Sequence, residues 1–425
     1  MKKNLPAKYT LMKELKTLLM IALVLVSCAG REQGKKNNQK TEDMLKDSTE
    51  LYGWNRDFLK KHIEVVELKN GNSVIAIVPA WQGRVMTSSS DGDNGYSCGW
   101  INHKAVEMEE LQPHMNAFGG EERLWLGPEG GQYSIYFKKG DEFIYDNWQT
   151  PAFIDSEPFE TVAITDTSAS FVRETGFENY SGAKFKIRIE RQVVLLGEDE
   201  IRKHTGINTE GLKCVAYRSD NILFNKGDIE WNKETGLLSV WMLGMFTPSP
   251  SVVIVIPFRQ GDEKELGVPV NDNYFGSIPP DRLKVSGGTI FFRADGKSRG
   301  KIGLPPLRVT GVMGSYDSEN NLLTLLLCKL PEGKTEYVNS AWELQEHPYS
   351  GDAFNSYNDG PLADGSQMGP FYELETSSPA LSLKPGESYN HKQVTIHLTG
   401  DKALLDKVSK EVLGVGLEEI EAAFN

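Results

Sequence analysis

"AKFKIRIERQVVLLG", Ala183 to Gly197, alternates apolar and polar residues and so puts Phe185, Ile187 and Ile189 on one face of an extended chain. An amphipathic helix would space them three or four apart. Strand signals recur on both sides of this stretch. "IEVVELKNGNSVIAIVP" (63–79) is two β-rich runs around Asn70-Gly71, a pair that tolerates the positive φ of a hairpin turn. "LLSVWMLGMF" (237–246) and "SVVIVIPF" (251–258) read as strands buried on both faces, and "NLLTLLLCKL" (321–330) and "NHKQVTIHLTG" (390–400) continue the pattern. Helical signals are confined to a short segment, Trp54 to His62, and to the tail, Lys402 to Phe424. No internal repeat and no Pro/Ser/Gly-rich linker divides the strands. The expectation is an all-β chain, one large single-domain β-sandwich over 51–425 with a short C-terminal helix.

The N-terminus reads differently. Lys13 and Lys16 precede an apolar run, Leu18 to Val26, too short for the roughly 20 residues of a membrane span and of the length of a secretory signal. The run ends in "LVSC", which resembles the lipobox of bacterial lipoproteins, in which the cysteine, here Cys28, is lipidated. Residues 1–28 are thus expected to be a lipoprotein signal peptide, starting at Met1 or at Met12, and 29–50, polar and without apolar period, a flexible tether. The expected location is the bacterial cell envelope, with the membrane reached through the N-terminal lipid only.

A formal net charge of -13 and the absence of a basic run beyond the N-terminus argue against a nucleic-acid partner. With Cys28 set aside, Cys98, Cys214 and Cys328 are scattered, with neither metal spacing nor a disulfide framework, and read as core thiols. Asp91 and Asp93 in "SSSDGDNGYSCGW" fall short of the six to eight oxygens of a calcium site and read as turn residues. No cofactor and no metal is expected.

Two segments carry chemistry. "NAFGGEERLWLGPEGG" (116–131) has paired glycines, but acids follow them where a phosphate loop needs Lys and Ser/Thr, so a nucleotide reading fails. It is either the wall of a ligand pocket, with Glu122 and Arg123 as polar contacts and Trp125 as an aromatic face, or a Gly-Gly turn beside a core tryptophan. The second segment, 355–398, begins as the loop "NSYNDGPLADG", whose Asn358 and Asp359 suit either sugar hydroxyls or turn chemistry. It continues as a strand with Glu373 and Glu375 on one face. Two carboxylates buried together raise one pKa and can prepare an acid or base; on a solvated face they would do nothing.

Together these segments resemble the galactose-mutarotase-like group, which includes aldose 1-epimerases. The resemblance rests on "FGGEERLWLGPEGG" (118–131), on "LETSSPALSLKPGESYNHKQVTIHL" (374–398) with its "L-x-P-G-E" turn, and on the long strand pair in "ENYSGAKFKIRIERQVVLL" (178–196). More narrowly, the chain resembles uncharacterised lipoproteins of gut-type bacteria that share "GGEERLWLGPEGG" and "YNDGP". The resemblance implies a β-supersandwich with a sugar cleft, Glu375 as the essential glutamate with Glu373 as fallback, and Arg84 as a sugar contact. It also exposes departures. Phe118 stands where epimerases keep a histidine, and "SDNILFNKGDIEW" offers Asn221 and Asn225 but no histidine in the mid-chain acid position; His114 and His347 are the substitutes. The implied ligand is a small sugar or an oligosaccharide. The implied chemistry is epimerase-type or lyase-type acid–base work at a sugar carbon, against two alternatives: a non-catalytic carbohydrate-binding lipoprotein, or a two-carboxylate glycoside hydrolase.

Overall fold

The computed structural model describes residues 48–108 and 110–424, so Cys28 and the expected signal and tether lie outside the described residues apart from the last three tether positions. Contacts divide the chain into Met1–Leu51 and Tyr52–Asn425, and the second unit holds every element that follows.

Among the described residues eighteen strands build three antiparallel sheets. β1 (Val66–Asn70), β2 (Ser73–Val78) and β3 (Arg84–Ser89) form a small sheet. The Asn70-Gly71 hairpin closes as expected, with Asn70 paired to Ser73 and Gly71 at φ 61°. β4 (Arg123–Gly127), β9 (Ser239–Phe246), β13 (Gly300–Leu304), β16 (Phe354–Asn358) and β17 (Tyr372–Ser377) form a five-stranded sheet in the order β13-β16-β17-β9-β4. The remaining strands are β5 (Glu160–Ile164), β6 (Ser168–Glu178), β7 (Lys184–Leu195), β8 (Leu212–Asn225), β10 (Val253–Pro257), β11 (Leu283–Ser286), β12 (Thr289–Arg293), β14 (Val312–Asp317), β15 (Leu322–Leu327) and β18 (Ser388–Gly400). They make a ten-stranded sheet in the order β11-β12-β10-β14-β15-β18-β8-β7-β6-β5.

The two large sheets pack as a sandwich because each is apolar toward the other. Phe185, Ile187 and Ile189 of β7 are buried in one core cluster with Leu124, Leu126, Val240 and Met242 of the five-stranded sheet. Farther along, Ile254 and Phe292 meet Ile302, Phe354 and Leu374. The expected tail helix is two: Lys402–Val412 and Leu417–Glu421, parted at Gly414, whose φ of 77° an α-helix does not accommodate. Short helices at His103–Glu107, Glu198–Thr205 and Glu263–Leu266 add to the expected elements, each too brief for a periodic signal. Cys98 and Cys328 are buried and Cys214 half-buried, all as free thiols.

Candidate functional site

Alternation on the five-stranded sheet decides which side chains meet. Leu124, Leu374 and Thr376 point into the sandwich, so Arg123, Trp125, Glu373 and Glu375 point outward. Register carries the outward set across all five strands: Glu375 lies opposite Leu243 and Asn355, Glu373 opposite Met245 and Tyr357, Tyr357 opposite Lys301, and Trp125 opposite Trp241.

The outer face is thereby a charged layer with aromatic surroundings. Arg123 Nη2 donates to Glu373 Oε1 at 2.5 Å, and its guanidinium lies 5.0 Å from the Trp125 ring centroid. Lys301 Nζ and Trp241 Nε1 both donate to Glu375 Oε2, each at 2.9 Å. Lys301 Nζ also sits 5.1 Å from the Trp241 ring and 5.7 Å from that of Tyr274. The Tyr274 hydroxyl donates to Asp352 Oδ2 at 2.5 Å and accepts from Asn355 Nδ2 at 2.8 Å. Gly303 has no side chain because Asp352 and Tyr274 occupy the space a Cβ would take. The layer is covered but not sealed: Trp241, Asn355 and Tyr357 keep 7%, 8% and 8% of their surface, and the Lys301 side chain 14%.

Burial sets the protonation. It raises the Glu129 carboxyl to about 7, against the pull of Lys301, and the Glu375 charge raises it further. It also raises Glu373, against the attraction of Arg123 and with Glu375 adding to the rise. Burial alone would lower the Lys301 ammonium, but Glu375, Glu373 and Glu129 hold it above its ordinary value. Among the described residues four polar atoms of this face have no protein partner: Glu375 Oε1, Arg123 Nε, Trp125 Nε1 and Ser239 Oγ. An unpartnered buried polar group costs about 1–3 kcal/mol, so a face that keeps four is suited to bind something polar.

The other expected site residues go elsewhere. Glu122, one residue from Arg123, faces into the sandwich, where Oε1 pairs with Arg191 at 2.7 Å and Oε2 accepts from Gln393 at 2.6 Å. It is an inter-sheet tie, not a cleft residue. Arg84 is also internal: Nη1 donates to Gly119 O at 3.0 Å, and burial with Arg123 nearby pulls its guanidinium down to about 9. Gly120, at φ 110°, leaves room for the Arg84 stem, which a Cβ would meet at 2.7 Å. The Gly-Gly pair thus serves close backbone approach inside the fold. Asn358 joins Gly296 N and Ser298 O as a loop brace. Asp359 accepts from Tyr357 OH at 2.7 Å and from Gly369 N at 3.0 Å, holding the loop 359–369 at the edge of the cleft.

No described histidine bonds to the carboxylates. His114 Nδ1 lies 2.6 Å from Trp148 O and its ring 4.5 Å from that of Tyr145; His347 is exposed. Phe118 stacks on Trp81 at 4.0 Å and 6°, so the position of the epimerase histidine is a core contact. Asn221 Oδ1 accepts from Arg191 at 2.5 Å, and Asn225 braces Leu383 and Ile229. Asp91 pairs with Lys213 and Asp93 with Arg56, as turn residues do. Among the described residues no group of three or more His, Cys, Asp or Glu could hold a metal ion.

Sequence reasoning passed over Glu129, Lys301, Trp241 and Tyr274. Two of these had a signal. Lys301 is a lone cation in the otherwise apolar strand "GKIGL", and Glu129 stands between Pro128 and Gly130 in the quoted motif.

The sequence matches a family of unknown function, DUF6786, over residues 50–424. The chain belongs to the DUF6786 family. The motifs, the sheets and the charged outer face all lie within the matched span. No curated protein matches this DUF6786 chain. Solved structures similar to it include a galactose mutarotase-like protein from Lactobacillus casei ATCC 334, at 10% identity and TM-score 0.48, covering 79% of this chain and 100% of that one. Another is the Slr1438 protein from Synechocystis sp. PCC 6803, at 12% identity and TM-score 0.47, covering 80% and 96%. A third is a galactose mutarotase related enzyme from Lactobacillus acidophilus, at 10% identity and TM-score 0.44, covering 79% and 97%. Galactose mutarotase-like proteins, the group the sequence resembles, are thus among the structures similar to this DUF6786 chain.

Proposed function

We propose that the outer face of the five-stranded sheet is a carbohydrate-directed cleft that performs acid–base chemistry at a sugar carbon. The observation that carries this reading is the state of Glu375. Lys301 and Trp241 hold its Oε2, while Oε1 has no partner. A carboxylate fixed through one oxygen can take a proton on the other. Glu129 is close enough for its charge to interact with that of Glu375, and with its carboxyl at about 7 it holds a proton to give at neutral pH. Proton removal from a sugar hydroxyl or carbon, with donation to the ring oxygen or to the opposite face, needs such a base and acid. Glu373, salt-bridged to Arg123, is the second carboxylate in reach, and Trp125 and Trp241 supply aromatic surface beside the polar groups. The resemblance of the sequence to aldose 1-epimerases agrees with this chemistry.

The test is exchange between sugar anomers, and hydrogen–deuterium exchange at sugar carbons, followed by NMR over a panel of aldoses. Glu375→Gln should abolish turnover, and Glu129→Gln should remove its decline as pH rises through about 7. A wild-type protein that leaves every sugar unchanged overturns the catalytic reading. One observation favours a second reading, carbohydrate binding without chemistry: Glu373 and Glu375 are each already engaged by a fixed cation. Sugar-dependent quenching of tryptophan fluorescence without turnover would establish it.

We also propose that the chain is a lipid-anchored protein of the bacterial envelope. The support is the sequence alone: Lys13, Lys16, the apolar run and "LVSC" ending at Cys28. Cys28→Ala should lose incorporation of labelled palmitate in growing cells; equal labelling of wild type and variant would defeat the proposal.

A further inference from the structure

A cavity of about 510 Å³ lies apart from the carboxylate layer, between the segments 111–116, 135–139 and 149–156. Tyr136 separates the two. Its ring packs on Trp125 and Trp148, at 5.6 and 6.0 Å, on the cleft side, and it also lines the cavity.

The cavity wall is built. Asp155, 4% exposed, has its carboxylate fixed by Asn116: the backbone N–H reaches Oδ1 at 3.2 Å and Oδ2 at 3.1 Å, and Nδ2 reaches Oδ2 at 2.7 Å. Asn116 is itself held, its Oδ1 accepting from Gln112 N at 2.9 Å. A carboxylate offers about four acceptor positions, and two N–H donors leave roughly half of them for other donors. Among the described residues Asp155 has no ion-pair partner. Thr150, 7% exposed, stands in the same wall, and its hydroxyl has no protein partner. Ile135, Pro151 and Ala152 give the wall an apolar part.

Charge narrows the ligand. The lining sets Asp155 and Glu178 against Lys138 and Lys139, two charges of each sign, so it favours neither an anion nor a cation. Fixed acceptors, a free hydroxyl and an apolar surface together suit a neutral polyhydroxy ring, whose hydroxyls donate and whose C–H face packs. We infer that this cavity is a second carbohydrate subsite, taking an uncharged sugar residue on Asp155 and Thr150. It does not rest on the chemistry assigned to Glu375.

The test uses the full-length protein and saturation-transfer NMR, with the methyl glycosides of glucose, galactose, mannose and xylose as probes. At least one glycoside should bind, with affinity lowered tenfold or more by Thr150→Val and by Asp155→Asn, and unchanged by Glu375→Gln. Ser156→Trp, which fills the cavity and leaves the Asp155–Asn116 bonds in place, should abolish that binding with the fold intact by circular dichroism. The inference is overturned if no glycoside binds, if Thr150→Val and Ser156→Trp leave binding untouched, or if Glu375→Gln alone removes it.

Discussion

On the inner face of the five-stranded sheet Glu122 has both carboxylate oxygens engaged, one by Arg191 and one by Gln393, and Gln393 in turn accepts from Thr376. On the outer face Glu375, the residue before Thr376, has one oxygen engaged and one free. Both glutamates are fully buried, and both have a cation at salt-bridge distance. The difference is closure. The inner ties join two sheets and satisfy their atoms, as a structural network must. The outer set leaves Glu375 Oε1, Arg123 Nε and Trp125 Nε1 unpartnered on one surface, an arrangement that costs stability and is worth keeping only for use.

The comparison breaks most readily at Glu375. Glu375→Gln keeps the shape of the side chain and should lower turnover about 10²- to 10⁴-fold, the usual worth of a positioned acid or base, with a smaller stability loss than at Arg191 because Glu373 and Glu129 still face Lys301. If melting collapses instead, the outer face is structural after all. Arg191→Met is the mirror experiment. It strands Glu122 in the sandwich and should cost about 3–5 kcal/mol in denaturant unfolding, with no specific loss of sugar binding in the protein that remains folded.

A pH series sharpens the contrast between buried groups. Burial raises Glu121, which accepts from Ser88 between the sheets, to about 8, and Glu129 to about 7. The native state therefore holds these protons more tightly than the unfolded chain. Their contribution is fully present below about 4.5 and is lost as pH rises through 7 to 8. His391 and His397 act oppositely: burial lowers them to about 4 and about 3, so their contribution is present above 6.5 and lost as pH falls through 4 to 3. Between pH 6.5 and 8 only the glutamates titrate among these four, and stability should fall by on the order of 1–2 kcal/mol. Glu121→Gln should flatten that slope in thermal melts; an unchanged slope would remove Glu121 from the account.

The smallest effect is expected at Phe118→His, which restores the residue type of the epimerases. Phe118 stacks on Trp81 in the core, so the change should cost roughly 0.5–1.5 kcal/mol in unfolding and add no turnover. A gain in sugar interconversion would show that the position reaches the cleft.

The strands were legible because their signals are local. Alternation in 183–197 and the Asn-Gly hairpin depend on neighbours one or two residues away, and β1, β2 and β7 form there. Local reasoning also put Glu373 and Glu375 on one face, since alternation needs no knowledge of other strands. It went astray at Glu122 and Arg123, grouped as one wall although adjacent strand residues point to opposite faces. Apolar spacing over 402–424 predicts one helix, but Gly414 at φ 77° divides it into two.

What the sequence determined by itself is the β architecture, the placing of Glu373 and Glu375 on one face, and the match to the DUF6786 family. Only the tertiary structure decided what those carboxylates face. Lys301 lies 74 positions before Glu375, and Trp241 134 before it, and β16, β17 and β9 bring them together through register. Register across non-neighbouring strands follows from how the whole sandwich closes its core. No window of local sequence contains it, and the ion pairs of the outer face are therefore a property of the fold.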